Sequence, residues 1–113
     1  VARFLQHLHA ARPVERFNWG LQRGAALCAR DRVAAEGVLH YRCERQTLYR
    51  LPGTGAVLFT IRVYLSPLSS LEAVPGALQA LVQAIDACPP ALAVYKGFDR
   101  LQDDLDDLRN TYV

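Results

Sequence analysis

Cysteine is scarce in this 113-residue chain: Cys28, Cys43 and Cys88 make an odd count with no C-x-x-C spacing. That excludes a disulfide framework and a zinc ribbon, and it points to a reducing, cytoplasmic setting. Lysine is nearly absent. Twelve of the thirteen cations are arginines, scattered through the sequence rather than gathered in a basic stripe interleaved with aromatics. A nucleic-acid reader needs such a stripe, so that class is excluded. No apolar run reaches membrane-spanning length, which excludes a helical membrane anchor within the sequence. There is no Gly-rich phosphate loop, no H-E-x-x-H and no G-x-S-x-G. Internal repeats and low-complexity segments are missing too.

What remains is an ordinary globular composition, 51% apolar with a net charge of +2. The length allows one domain with one core. The modest net charge hides an asymmetry. Residues 1–50 carry nine arginines against Glu15, Asp31, Glu36 and Glu44, a net +5. Residues 51–113 carry four cations against seven acids, a net −3, so the two halves are expected to complement each other.

One hairpin organises the sequence, from Tyr41 to Leu65. Two strand-like runs flank Pro52-Gly53-Thr54-Gly55, a strong turn signal. The second run is rich in β-branched and aromatic residues, with Val57, Phe59, Ile61, Val63 and Leu65 on one face and Leu58, Thr60, Arg62 and Tyr64 on the other. In the first run Arg42, Glu44, Gln46 and Arg50 share a face, and Cys43, Arg45, Thr47 and Tyr49 share the opposite one. A four-residue loop pairs Leu51 with Ala56 and sets Arg45 opposite Arg62 and Cys43 opposite Tyr64. One more loop residue instead gathers Glu44, Gln46, Arg62 and Tyr64. A one-residue slip exchanges faces, and the pattern alone leaves both registers open.

The flanking segments read as follows. Residues 1–11 have helical spacing, stopped by Pro13. His7 and His9, two apart, face different ways and cannot share a metal. Val14 to Arg23 reads as a strand carrying Asn18 and Trp19, which either fill the core or line a pocket. Gly24 to Gly37 reads as loop. Ser69-Ser70-Leu71-Glu72 fits a capping box on a short turn. Pro75 opens a helix with Leu78, Leu81, Val82 and Ile85 as its apolar stripe. Leu92 to Tyr95 reads as a last short strand or an extended link. Asp99 with Gln102 opens a final helix, apolar at Phe98, Leu101, Leu105, Leu108 and Tyr112 and acidic on the other side. The expected fold is α+β, an antiparallel sheet centred on the hairpin with helices near 1–11, 75–87 and 99–111.

Arginines projecting from a sheet bind carboxylates bidentately, so Arg45 and Arg62 with Glu44, Gln46 and Tyr64 form the candidate site. The competing reading is an Arg–Glu network on a solvated sheet face. A thiol nucleophile at Cys43 would need His40 beside it, and nothing else in the sequence supports that pair.

Three stretches carry a family resemblance: R-P-V-E-R-F-N-W (Arg12 to Trp19), C-E-R-Q-T-L-Y-R-L-P-G-T-G-A-V-L-F-T-I-R-V-Y-L (Cys43 to Leu65) and Y-K-G (Tyr95 to Gly97). In this order they resemble the C-terminal part of the heme-dependent oxidative N-demethylase family. The resemblance implies a PAS-like α+β fold, with residues 1–113 as the C-terminal portion of a larger family domain. It implies heme b as cofactor and oxygen-dependent demethylation of a small secondary amine such as dimethylamine, a monooxygenase-type oxidoreductase chemistry. It also implies a flavin- or iron–sulfur-containing reductase partner. On matching motif positions Arg45 and Arg62 suit the heme propionates, with Glu44, Gln46, Tyr64 and Trp19 as pocket walls or supporting groups. The family's I-H-x-P-V-P-like segment has no counterpart among these residues, and His7, His9 and His40 do not match it. The alternative reading, from another class, is a non-catalytic PAS-like module that binds a small ligand or a partner. A remnant without activity is a third.

Overall fold

The structure, a computed structural model, describes residues 6–9, 12–28, 30–33 and 36–112, the last without its side chain. Three strands, β1 (Val14–Arg23), β2 (Leu39–Arg50) and β3 (Val57–Pro67), form an antiparallel sheet in the order β1-β2-β3. Helices α1 (Ala77–Asp86), α2 (Pro90–Tyr95) and α3 (Gln102–Tyr112) follow, with 3₁₀ turns at Leu68–Ala73 and Phe98–Arg100. The fold is therefore α+β, as the hairpin and the helical stripes predict.

The hairpin turn decides the register. Gly53 and Gly55 take φ of 89° and 73°, values that glycine reaches without a Cβ penalty. The Leu51 N–H then donates to the Ala56 carbonyl at 2.7 Å. The Thr47 and Thr60 hydroxyls meet across the same ladder. Both contacts select the four-residue loop, so Arg45 lies opposite Arg62 and Cys43 opposite Tyr64.

The chain divides into two compact units, residues 1–19 with 43–64, and residues 20–42 with 65–113. The first holds the hairpin and the start of β1. Its buried side chains among the described residues are Leu8, Glu44 and Gln46, so it has almost no apolar core of its own. The Arg50 side chain donates to the Leu8 carbonyl at 3.1 Å and to the Gly55 carbonyl at 2.7 Å, tying the turn to the segment before β1.

The second unit holds the apolar core: Leu21, Val33, Leu78, Leu81, Val82, Ile85, Phe98, Leu101, Leu105 and Leu108 are all buried. The apolar stripe of α1 meets that of α3, each spaced for one helix face. The acidic side of α3 is partly used. Arg23 donates to Asp104 at 2.6 Å, and Arg109 holds Asp86 at 2.7 Å and Asp106 at 2.8 Å. The hydrogen bond to Asp86 keeps the Arg109 guanidinium above its ordinary pKa, and the bond to Asp31 does the same for Arg100. Buried polar groups line β2 as well. The carboxamide of Gln22 accepts from Arg42 at 2.9 Å and donates to the carbonyls of Ala26 and Gly24 at 2.7 and 3.2 Å. This pins the loop that follows β1.

Several expectations are corrected. Leu92 to Tyr95 is helical, not extended, because Pro90 occupies the first helical position and pre-sets its φ. Ser69 to Glu72 lies in a 3₁₀ turn with no side-chain cap; Ser70 Oγ turns back to the Pro67 carbonyl at 2.7 Å instead. Asp99 belongs to the Phe98–Arg100 turn, and the final helix starts at Gln102, whose side chain donates to the Phe98 carbonyl. Most of the expected first helix falls outside the described residues. Within 6–9 only Gln6 is helical, and His9 already forms a β-bridge with Arg12.

Candidate functional site

All six candidate residues lie in the first unit, and the register separates them onto two faces. On one face of the hairpin Cys43, Arg45, Thr47 and Tyr49 of β2 stand beside Leu58, Thr60, Arg62 and Tyr64 of β3. Arg45 and Arg62 are direct cross-strand partners there. Like charges in that position repel unless an anion lies between or beside them.

One anion is present. Glu15 of β1 accepts from Arg45 through both Nε, at 2.7 Å, and Nη2, at 2.6 Å. Arg62 has a different partner: its guanidinium carbon lies 5.1 Å from the centre of the Tyr64 ring. A cation–π contact at an exposed site contributes only about 0.5–1 kcal/mol and adds no negative charge. Among the described residues, Arg45 thus has a carboxylate partner and Arg62 does not, and both guanidiniums are solvent-exposed.

The aromatic side chains of the same face complete it. Because Glu15 reaches Arg45, alternation along β1 puts Phe17 and Trp19 on that side too. Phe17 is 63% exposed and Tyr64 44%, while Trp19 is half-buried. Flat apolar surface next to paired cations suits a flat ligand that carries carboxylates.

Glu44 and Gln46 are elsewhere. They occupy the opposite face of β2, each only 5% exposed. Gln46 Nε2 donates to Glu44 at 3.0 Å, and its carbonyl oxygen accepts from Arg16 Nε. These groups are spent on one another. The register that would have gathered them around Arg62 is not adopted, so Arg45, Arg62, Tyr64 and Trp19 are brought together and Glu44 and Gln46 are not.

Sequence reasoning missed Glu15 and Phe17. The available signal was the charge alternation in Val14-Glu15-Arg16-Phe17, which sets an acid and a ring on one side of β1. His7 and His9 are exposed. His40 is buried, its Nδ1 2.9 Å from the Val38 carbonyl, and alternation along β2 turns it away from the face that carries Cys43. Among the described residues no group of three or more His, Cys, Asp or Glu side chains could hold a metal ion. No helix among them is long and apolar enough to cross a membrane.

The fold and this face define an α+β chain whose antiparallel sheet carries paired arginines and exposed aromatic rings on one side. A family model described as haem-dependent oxidative N-demethylase, alpha subunit-like, matches residues 1–105, and the chain belongs to that family.

Proposed function

We propose that the Arg45–Arg62 face holds the carboxylate edge of a heme b group, in a protein of the oxidative N-demethylase kind. The observation that carries the reading is the pair of opposed guanidiniums of which, among the described residues, only Arg45 has a carboxylate, that of Glu15. A second carboxylate, or two, would relieve that repulsion. Heme propionates provide them, and the porphyrin edge would lie along Phe17 and Trp19. The donor set fits: two planar forks, exposed rings and a tyrosine that holds Arg62 in place.

When bound, heme supplies oxygen activation for removing a methyl group from a small secondary amine such as dimethylamine. The chain's own residues do simpler work. Arg62, held over the Tyr64 ring, offers an unspent fork to one propionate. Arg45 exchanges or shares Glu15 with the other. Phe17 and Trp19 cover the ring edge and keep water from it. Glu44 and Gln46 act behind the sheet, holding β2 in place through Arg16. Electrons for such chemistry would come from a flavin- or iron–sulfur-containing reductase subunit, a partner that fits an alpha-subunit-like chain. The exposed face, charged and aromatic, supports this ligand-holding role.

Hemin titration of the purified chain tests it, followed by the Soret band and by quenching of Trp19, the sole tryptophan. Arg62→Ala is expected to weaken hemin binding by roughly 10-fold or more, the worth of a charge-assisted pair. Arg45→Ala should weaken it less, because Glu15 already occupies that guanidinium. Both variants should unfold at the wild-type midpoint. Equal hemin affinity in wild type and both variants would sink the assignment.

A further inference from the structure

Among the described residues strand β3 is the open edge of the sheet, with β2 as its one neighbour. Antiparallel geometry decides which of its backbone groups are free. The Ala56 carbonyl points at β2, so the even positions 56, 58, 60 and 62 face β2 and the odd positions 57, 59, 61 and 63 turn their N–H and C=O outward. Natural edges are blunted by charges, prolines or bulges. The opposite edge follows that rule, with Glu15 and Arg16 in the first residues of β1. Positions 56–61, A-V-L-F-T-I, carry no charge at all. Their side chains are also uncovered: Val57 is 36% exposed, Leu58 37%, Phe59 45% and Ile61 50%. These fractions leave roughly 300 Å² of surface exposed along the edge, with Val57, Phe59 and Ile61 on one face and Leu58 on the other.

We propose that two copies of this chain pair antiparallel through β3, centred on Thr60, to form a continuous six-stranded sheet. A two-fold axis perpendicular to the sheet pairs only residues of equal parity, so the Phe59–Ile61 face meets its own copy. Centred on Thr60, Phe59 lies opposite Ile61 of the second copy and Val57 opposite Val63, all through outward-facing backbone groups. Arg62 is the strand's only charge, and this register puts it opposite Leu58, with no cation beside it. A register centred on Arg62 would oppose two guanidiniums. The side chains can bury at most roughly a third of the ~800 Å² per partner of a standard interface, so main-chain pairing carries much of the association and the dimer is a weak one.

Sedimentation of the full chain from about 5 to 200 μM is the test, a range that brackets a micromolar dimer. The weight-average mass is expected to rise from 12.6 kDa toward twice that value. Phe59→Lys and Ile61→Lys should stay monomeric with unchanged circular dichroism and unfolding midpoint. The register has its own check in a chain with Cys28, Cys43 and Cys88 replaced by serine. Thr60→Cys should cross-link on oxidation, because the two copies of residue 60 face each other as a close pair, whereas Thr54→Cys should not. A chain that is monomeric throughout overturns the proposal. So does association that survives both lysine substitutions, or cross-linking at residue 54 in place of 60.

Discussion

Replacing Gln22 by leucine tests how much a single buried carboxamide contributes. Its side chain is fully buried and makes three hydrogen bonds: one accepted from Arg42, two donated to the carbonyls of Ala26 and Gly24. Leucine keeps nearly the same volume, so the cavity contribution is small. What is lost is polar. Arg42, itself 5% exposed, loses an acceptor, and a bond to a charged donor contributes about 1.5–3 kcal/mol. Ala26 is exposed, so water replaces the lost donor there at little cost. The expected destabilisation is therefore about 2–3 kcal/mol, read as a lower urea midpoint at unchanged slope. Gln22→Glu separates the two roles. It keeps an acceptor for Arg42 but sets a carboxylate oxygen against the Ala26 carbonyl, so its cost should fall between wild type and leucine. A Gln22→Leu loss below about 0.5 kcal/mol would refute the reasoning, because it would mean that Arg42 does not depend on this acceptor.

Leu101→Ala removes a side chain with no exposed surface, and a loss of about 2–5 kcal/mol in urea unfolding is expected. Gly97→Ala should cost about 1–3 kcal/mol, because φ is +80° and a Cβ would come within 3.1 Å of the buried Val33. Gly53→Ala, at φ +89° but with nothing within 4 Å, should cost only the conformational strain, about 1 kcal/mol; thermal midpoints compare the two directly. Arg109→Ala breaks its pairs with Asp86 and Asp106, which are half-exposed, so a loss under about 1 kcal/mol that shrinks further in high salt is expected in urea titrations at two ionic strengths.

Much of the fold was written in side-chain spacing. The alternation from Val57 to Leu65 and the stripe Leu78, Leu81, Val82, Ile85 each have one solution, and both are observed. Short segments were less legible. Leu92 to Tyr95 is too brief for a period to declare itself, and Pro90, rather than any apolar pattern, makes it helical. The polar side chains of β2 were the harder problem. His40, Arg42, Glu44 and Gln46 alternate with half-buried or exposed neighbours, and such a row is ordinarily read as a solvated face. Here it is the buried row. Burial is tolerated because the groups satisfy partners supplied by other segments: Arg42 finds Gln22, and Gln46 finds Arg16. Among the described residues no buried side-chain nitrogen or oxygen lacks a partner. Partners twenty and thirty residues away leave no trace in a local period.

The candidate site shows the same limit more sharply, because one hydrogen bond divided it. Residue types named all six members, but whether they form one group or two depends on hairpin register. Register depends on whether the Leu51 N–H reaches the Ala56 carbonyl or its neighbour, a difference of one residue in a Gly-rich turn. Once that bond is made, Glu44 and Gln46 leave the group, and Arg45 faces Arg62 with no acid from the hairpin to separate them. The acid arrives from β1 as Glu15, and it satisfies one arginine. The same bond also fixes which backbone groups of β3 face outward. Among the described residues, one register choice thus leaves an arginine without a carboxylate on one face of the hairpin and an unpaired apolar edge along its side.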